Sequence, residues 1–151
     1  MRNDVVTVLN GLIETCHDGE NGFLEAVELT REPSLRSLFA EFAEQRRQFA
    51  VQLQYEVSKR GGRPEQSGSL LGKVHRRWID VKSAFTGGGM AAIMTECGRG
   101  EEMAIRAYRK ALAADVSEDV HLLVEEQYAQ IQRVRDRIYN LESRLVDELS
   151  A

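Results

Sequence analysis

Residues 118–148 read EDVHLLVEEQYAQIQRVRDRIYNLESRLVDE, with apolar side chains recurring at Val120, Val124, Ile131, Val134, Ile138, Leu141 and Leu145. Steps of three and four residues place all of them on one face of an α-helix. A stripe of this length requires a second apolar surface to cover it, because packing stabilises a helix in water more than propensity does. The turn before it, Asp115-Val116-Ser117, ends in a hydroxyl suited to accept a bond from an orphan N–H at the helix start.

The same spacing extends outward through the chain. A first long helix is predicted from about Asp4 to Arg31, striped by Val6, Leu9, Ile13, Cys16, Phe23, Leu24 and Val27. Gly11, Gly19 and Gly22 inside it point to a bend or a close helix approach. Glu32-Pro33 breaks it, since a residue before proline is pushed out of the α region. A second helix follows from about Ser34 to Lys59, with Leu38, Phe39, Phe42, Phe49, Leu53 and Val57, and Gly61-Gly62 stops it. Residues 63–69 read as loop, then a shorter helix from about Leu70 to Phe85 carries Leu71, Val74, Trp78 and Val81. After Gly87-Gly88-Gly89 a third long helix runs from about Met90 to Ala113, through Met94, Cys97, Ala104, Tyr108 and Ala111. No alternating strand pattern occurs. The expectation is an all-α, antiparallel four-helix bundle, with a short extra helix in the crossover between the second and third long helices, forming one domain over residues 1–151.

Composition narrows the function classes. Apolar residues make up 42% and charged residues 29%, ordinary globular usage, and the net charge of −4 comes from interspersed signs. That leaves no basic stripe for nucleic acid, and no apolar run approaches the ~20 residues of a membrane span. The polar start Met1-Arg2-Asn3-Asp4 passes straight into a periodic helix, so no secretory signal and a cytoplasmic location are expected. Cys16 and Cys97 sit within apolar stripes and read as buried, reduced thiols.

Each long helix interrupts its stripe with one polar residue: Glu20, Gln45, Glu101 and Gln127. Glu20 and Gln45 lie about 12 residues from the first turn, and Glu101 and Gln127 about 11 to 14 from the last. At 1.5 Å per residue that is roughly 17–21 Å, near mid-bundle for all four. One inward polar group per helix at one level is the layout of a carboxylate dimetal site, which takes single Glu residues from two helices and Glu-x-x-His from the other two. Glu20 and Glu101 match the single carboxylates. The other two helices carry Gln45-Arg46-Arg47-Gln48 and Gln127-Tyr128-Ala129-Gln130 instead. Two carboxylates and two neutral amides supply about half the usual negative charge, and an amide does not bridge two metals. The layer therefore reads as a degenerate metal site that has become hydrogen-bonded structure, with Arg46 available to neutralise one carboxylate and the layer fixing helix register. On that reading Glu101→Gln is nearly neutral or mildly stabilising, because it removes a buried charge. The alternative is an iron or manganese site on Glu20 and Glu101, assisted by Glu44, Glu102 or Glu126.

Other motifs carry less. Glu14-Thr15-Cys16-His17 and Glu118-Asp119-Val120-His121 match Glu-x-x-His literally, but are not placed to share a site and read as surface. Val74 and Trp78 read as the core contact of the short helix, and His75 flanks that face without a partner spacing for a triad. The run Gly87-Gly88-Gly89 lacks the Lys-Ser/Thr and the strand of a phosphate loop.

Leu9-Asn10 with Leu12-Ile13-Glu14, Asp18-Gly19-Glu20 with Gly22-Phe23, Gln45-Arg46 with Phe49-Ala50, and Gly61-Gly62 with Pro64 form a set with three further motifs. These are His75-Arg76-Arg77-Trp78, Glu96-Cys97 with Arg99-Gly100-Glu101, and Tyr108 with Gln127-Tyr128. Together they resemble a bacterial family of ferritin-like four-helix-bundle proteins described as a domain of unknown function, over nearly the whole chain. His17 and Gly98 depart from that pattern. The resemblance implies the fold, a bacterial cytoplasmic setting and, through the ferritin-like superfamily, metal or oxidative-stress roles, although fold does not fix function. The expected protein is a non-catalytic association module without cofactor. A homodimer is the default oligomer.

Overall fold

The computed structural model describes residues 2–68 and 89–150. Among them are four α-helices and no strand: α1 (Arg2–Leu29), α2 (Pro33–Lys59), α3 (Gly89–Leu112) and α4 (Glu118–Ser150). The short helix expected over residues 70–85, with His75 and Trp78, lies outside the described residues.

Local chemistry sets the ends. Glu32 has extended backbone (φ −75°, ψ 121°), and its carboxylate accepts from the backbone N–H groups of Ser34 (3.2 Å) and Leu35 (2.9 Å). Pro33 fills the first helical position, where a missing N–H costs nothing. The Ser34 hydroxyl and those two N–H groups hold the Glu32 carboxyl below its ordinary value.

At the other end of α2, Gly61 N–H bonds to Ser58 C=O (3.0 Å) and Gly62 N–H to Val57 C=O (3.0 Å), the paired bonds of a Schellman stop. The two glycines serve different needs. Gly61 adopts φ +76°, which disfavours a side chain, while a Cβ on Gly62 would lie 2.9 Å from both γ-carbons of Val6. Ser117 C=O accepts from His121 N–H at 2.9 Å where α4 begins.

The helices pack as a bundle around two apolar compartments. One joins Leu9, Ile13, Leu53, Ile105, Tyr108 and Val124. The other joins Phe23, Phe39, Phe42, Met94, Val134 and Ile138. All four helices contribute to both. The chain crosses from one compartment to the other between Cys16 and Phe23, between Ala43 and Phe49, and between Cys97 and Ala104. Arg46 and Glu101 fall in that gap. The end of α2 meets the start of α4, where Arg60 Nη2 reaches Ser117 Oγ (3.2 Å) and Asp119 Oδ2 (3.1 Å). No helix among the described residues is long and apolar enough to cross a membrane.

Candidate functional site

The boundary between the compartments is built from α2 and α3. Arg46, the largest fully buried side chain among the described residues, donates from Nη1 to Glu101 Oε1 (2.7 Å) and from Nη2 to Glu101 Oε2. The two side chains are 1% and 2% exposed. Two parallel N–H···O bonds to a carboxylate are the strongest geometry a guanidinium offers. Burial alone would pull the Arg46 guanidinium down, but the Glu101 charge and its hydrogen bonds outweigh that and hold it protonated. Its carbon stands 5.4 Å from the centroid of the Phe23 ring, a cation–π contact. Gly19 on α1 makes room for it: a Cβ there would lie 3.1 Å from Nη1 and 3.3 Å from Cγ.

A second polar group lies toward the other compartment. Tyr108 donates to Gln127 Oε1 (2.7 Å), and the Gln127 amide donates to Gln52 Oε1 (2.8 Å) and to Phe49 C=O (3.4 Å). With its one proton committed, the Tyr108 oxygen accepts from the Cys16 thiol at 3.1 Å. Burial pushes the Cys16 thiol up to about 11, and burial also raises Cys97. Burial also lifts the Tyr108 phenol well above its usual value. These thiols are free and buried, as their place in the stripes implied, and are not poised as nucleophiles.

Of the four residues expected in one layer, Glu101 and Gln127 are buried, but they belong to different levels. Gln127 bonds Tyr108, which is seven residues and so roughly 10 Å along α3 from Glu101. Gln45 is half-buried and the inward position on α2 belongs to Arg46. Glu20 is also half-buried. It faces His17, with His17 Nδ1 3.4 Å from its Oε1 and side chains 18% and 20% exposed. His17 is thus less superficial than expected. Its Nε2 is buried without a hydrogen-bond partner among the described residues. His121 and Glu125 form a surface contact of 3.7 Å. Glu44 is held outside by Arg47, Glu102 accepts from Tyr139 (2.8 Å), and Glu126 is exposed, so none of them turns inward.

Among the described residues the donor set does not fit a metal pair. The carboxylate best placed for one, Glu101, has both oxygens on a guanidinium, and a cation already occupies the space before it. Sequence reasoning had Arg46 free to neutralise a carboxylate, as it does for Glu101, but placed Gln45 rather than Arg46 at the inward position of α2 and missed Tyr108 and Gln52 as hydrogen-bond partners. A signal for Arg46 exists: Phe39, Phe42, Arg46, Phe49 and Leu53 alternate steps of three and four, and Val57 follows four residues on.

Fold and site together define a helical-bundle protein whose interior charge is neutralised by its own side chains. The chain belongs to the family described as Domain of unknown function (DUF2383), whose pattern matches residues 4–114. That span holds Arg46 and Glu101 and ends before α4, so Gln127-Tyr128 lie beyond it. No curated protein matches the chain.

Proposed function

We propose that this chain is a non-catalytic protein-association module, an antiparallel ferritin-like bundle in which an ion pair stands where related architectures hold metal. The observation that carries this reading is the Arg46–Glu101 pair, which consumes both oxygens of the carboxylate an iron or manganese site would need. The contact between the end of α2 and the start of α4 supports the antiparallel arrangement, and the long connection from Lys59 to Gly89 supports a crossover. The outer face of α2 supports association. Val51 and Tyr55, 50% and 65% exposed, stand one turn apart there, and Lys59 Nζ lies 5.9 Å from the Tyr55 ring centroid. A homodimer through this face is the simplest assembly, and the stress-related setting is what the ferritin-like resemblance implies.

Sedimentation velocity over a range of concentrations tests the reading, with dimer expected for the native chain and monomer for Tyr55→Glu. A monomer at every concentration overturns it. Elemental analysis of protein purified without chelator tests the rival: a pair of iron or manganese ions per chain, lost in Glu101→Ala, would replace the association module with a metal store.

A further inference from the structure

A cavity of about 230 Å³ opens between α2 and α4 beside the charged layer, lined by Phe42, Gln45, Gln130, Arg133, Val134 and Arg137. Phe42 and Val134 are buried and form its apolar floor. Its polar wall is a set of donors. Gln45 Oε1 accepts from Arg46 Nε at 3.3 Å. Because a guanidinium only donates, that bond fixes the amide orientation and leaves the Gln45 NH₂ to the cavity. That NH₂ has no partner among the described residues, and neither does the Gln130 amide.

Arg133 and Arg137, one turn apart on α4, are exposed. Arg46, Arg47, Arg60, Arg99 and Arg135 each hold a carboxylate, whereas no carboxylate among the described residues pairs with Arg133 or Arg137. On a chain of net charge −4, two unpaired guanidinium groups over an apolar floor form a local site of opposite sign.

We propose that this cavity binds a small organic carboxylate with a flat apolar body. The guanidinium forks take the carboxylate oxygens, the Gln45 amide adds a donor, and the body rests on Phe42 and Val134. The volume lies below the ~300–1,000 Å³ of drug-sized ligand sites, which restricts the ligand to roughly the size of a single substituted ring.

Two-dimensional NMR of the full chain, following the side-chain amides of Gln45 and Gln130, tests this with benzoate as probe and benzyl alcohol as its neutral counterpart. Saturable shifts confined to the α2–α4 seam are expected, with a Kd on the order of 1 mM. Benzyl alcohol, and benzoate on the Arg133→Gln/Arg137→Gln variant, should bind at least about tenfold more weakly. Both arginines are exposed, so that variant keeps its fold, which circular dichroism checks. Shifts that do not saturate, that scatter over the surface, or that match those of the neutral probe or of the variant overturn the proposal.

Discussion

Replacing Glu101 by glutamine keeps the shape of the side chain and removes its charge. Were the carboxylate alone in the core, this would relieve the structure, and the sequence supports that expectation. The structure reverses it, because Arg46 is 1% exposed and Glu101 is its counter-ion. A glutamine oxygen still accepts one bond, yet the guanidinium keeps its full charge between two apolar compartments. Breaking a buried pair from one side costs about 3–5 kcal/mol. Against a total stability of ~5–15 kcal/mol that is a large fraction, equivalent to a fall in Tm of roughly 10 °C or more for a chain of this length. Arg46→Met should cost a similar amount by stranding the carboxylate. The double variant Arg46→Met/Glu101→Leu strands nothing and should recover to wild type, or exceed it by about 1–4 kcal/mol. Glu101→Leu alone should lose as much as Arg46→Met, and equilibrium urea unfolding of wild type, Arg46→Met, Glu101→Leu and their combination closes the double-mutant cycle. A Glu101→Gln protein within about 0.5 kcal/mol of wild type would refute the reasoning, as would a double variant no better than the worse single.

Gly11→Ala should gain about 0.5–1 kcal/mol, since nothing lies within 4 Å of the new methyl, while Gly19→Ala presses on Arg46 and forfeits that gain. Equal thermal shifts for the two would contradict the packing. Tyr108→Phe leaves the buried Gln127 oxygen without its donor and should cost about 1–2 kcal/mol by denaturant titration, with no loss if that bond is absent in solution. Stability should fall as pH rises beyond the ordinary thiol value of 9.0. There the unfolded chain releases a proton that folded Cys16 keeps until about 11, so its contribution, complete below 9.0, is lost through that window. Urea midpoints that stay flat across the window, or that respond equally in Cys16→Ala, would speak against burial of the thiol.

Much of this architecture was legible from spacing alone. Long apolar stripes, Glu32-Pro33, Gly61-Gly62 and Ser117 located the four helices to within one or two residues, because each is a local effect of backbone geometry. The site was less legible for two physical reasons. On α2, steps of three and four allow either Gln45 or Arg46 between Phe42 and Phe49, and the habit of placing arginine outside favours the wrong one. On α4, depth counted from the turn assumes that the chain reverses in place. Residues 113–117 instead carry it past the end of α3, so Glu102 meets Arg135 (3.7 Å) and Tyr139 rather than the neighbourhood of Gln127. Gly98 fits the same offset, since a Cβ there would lie 2.8 Å from the Tyr139 ring.

The division of the interior into two compartments has a kinetic consequence. The turn between α1 and α2 adjoins one compartment and that between α3 and α4 adjoins the other, at opposite ends of the molecule. We expect each helical hairpin to zip from its own turn, with the two fronts meeting at Arg46 and Glu101, which lie 55 residues apart in the chain. We expect this contact to form after the rate-limiting barrier, so that Glu101→Gln accelerates unfolding and leaves refolding almost untouched in stopped-flow chevrons. A slowed refolding arm would instead make the ionic contact part of the nucleus.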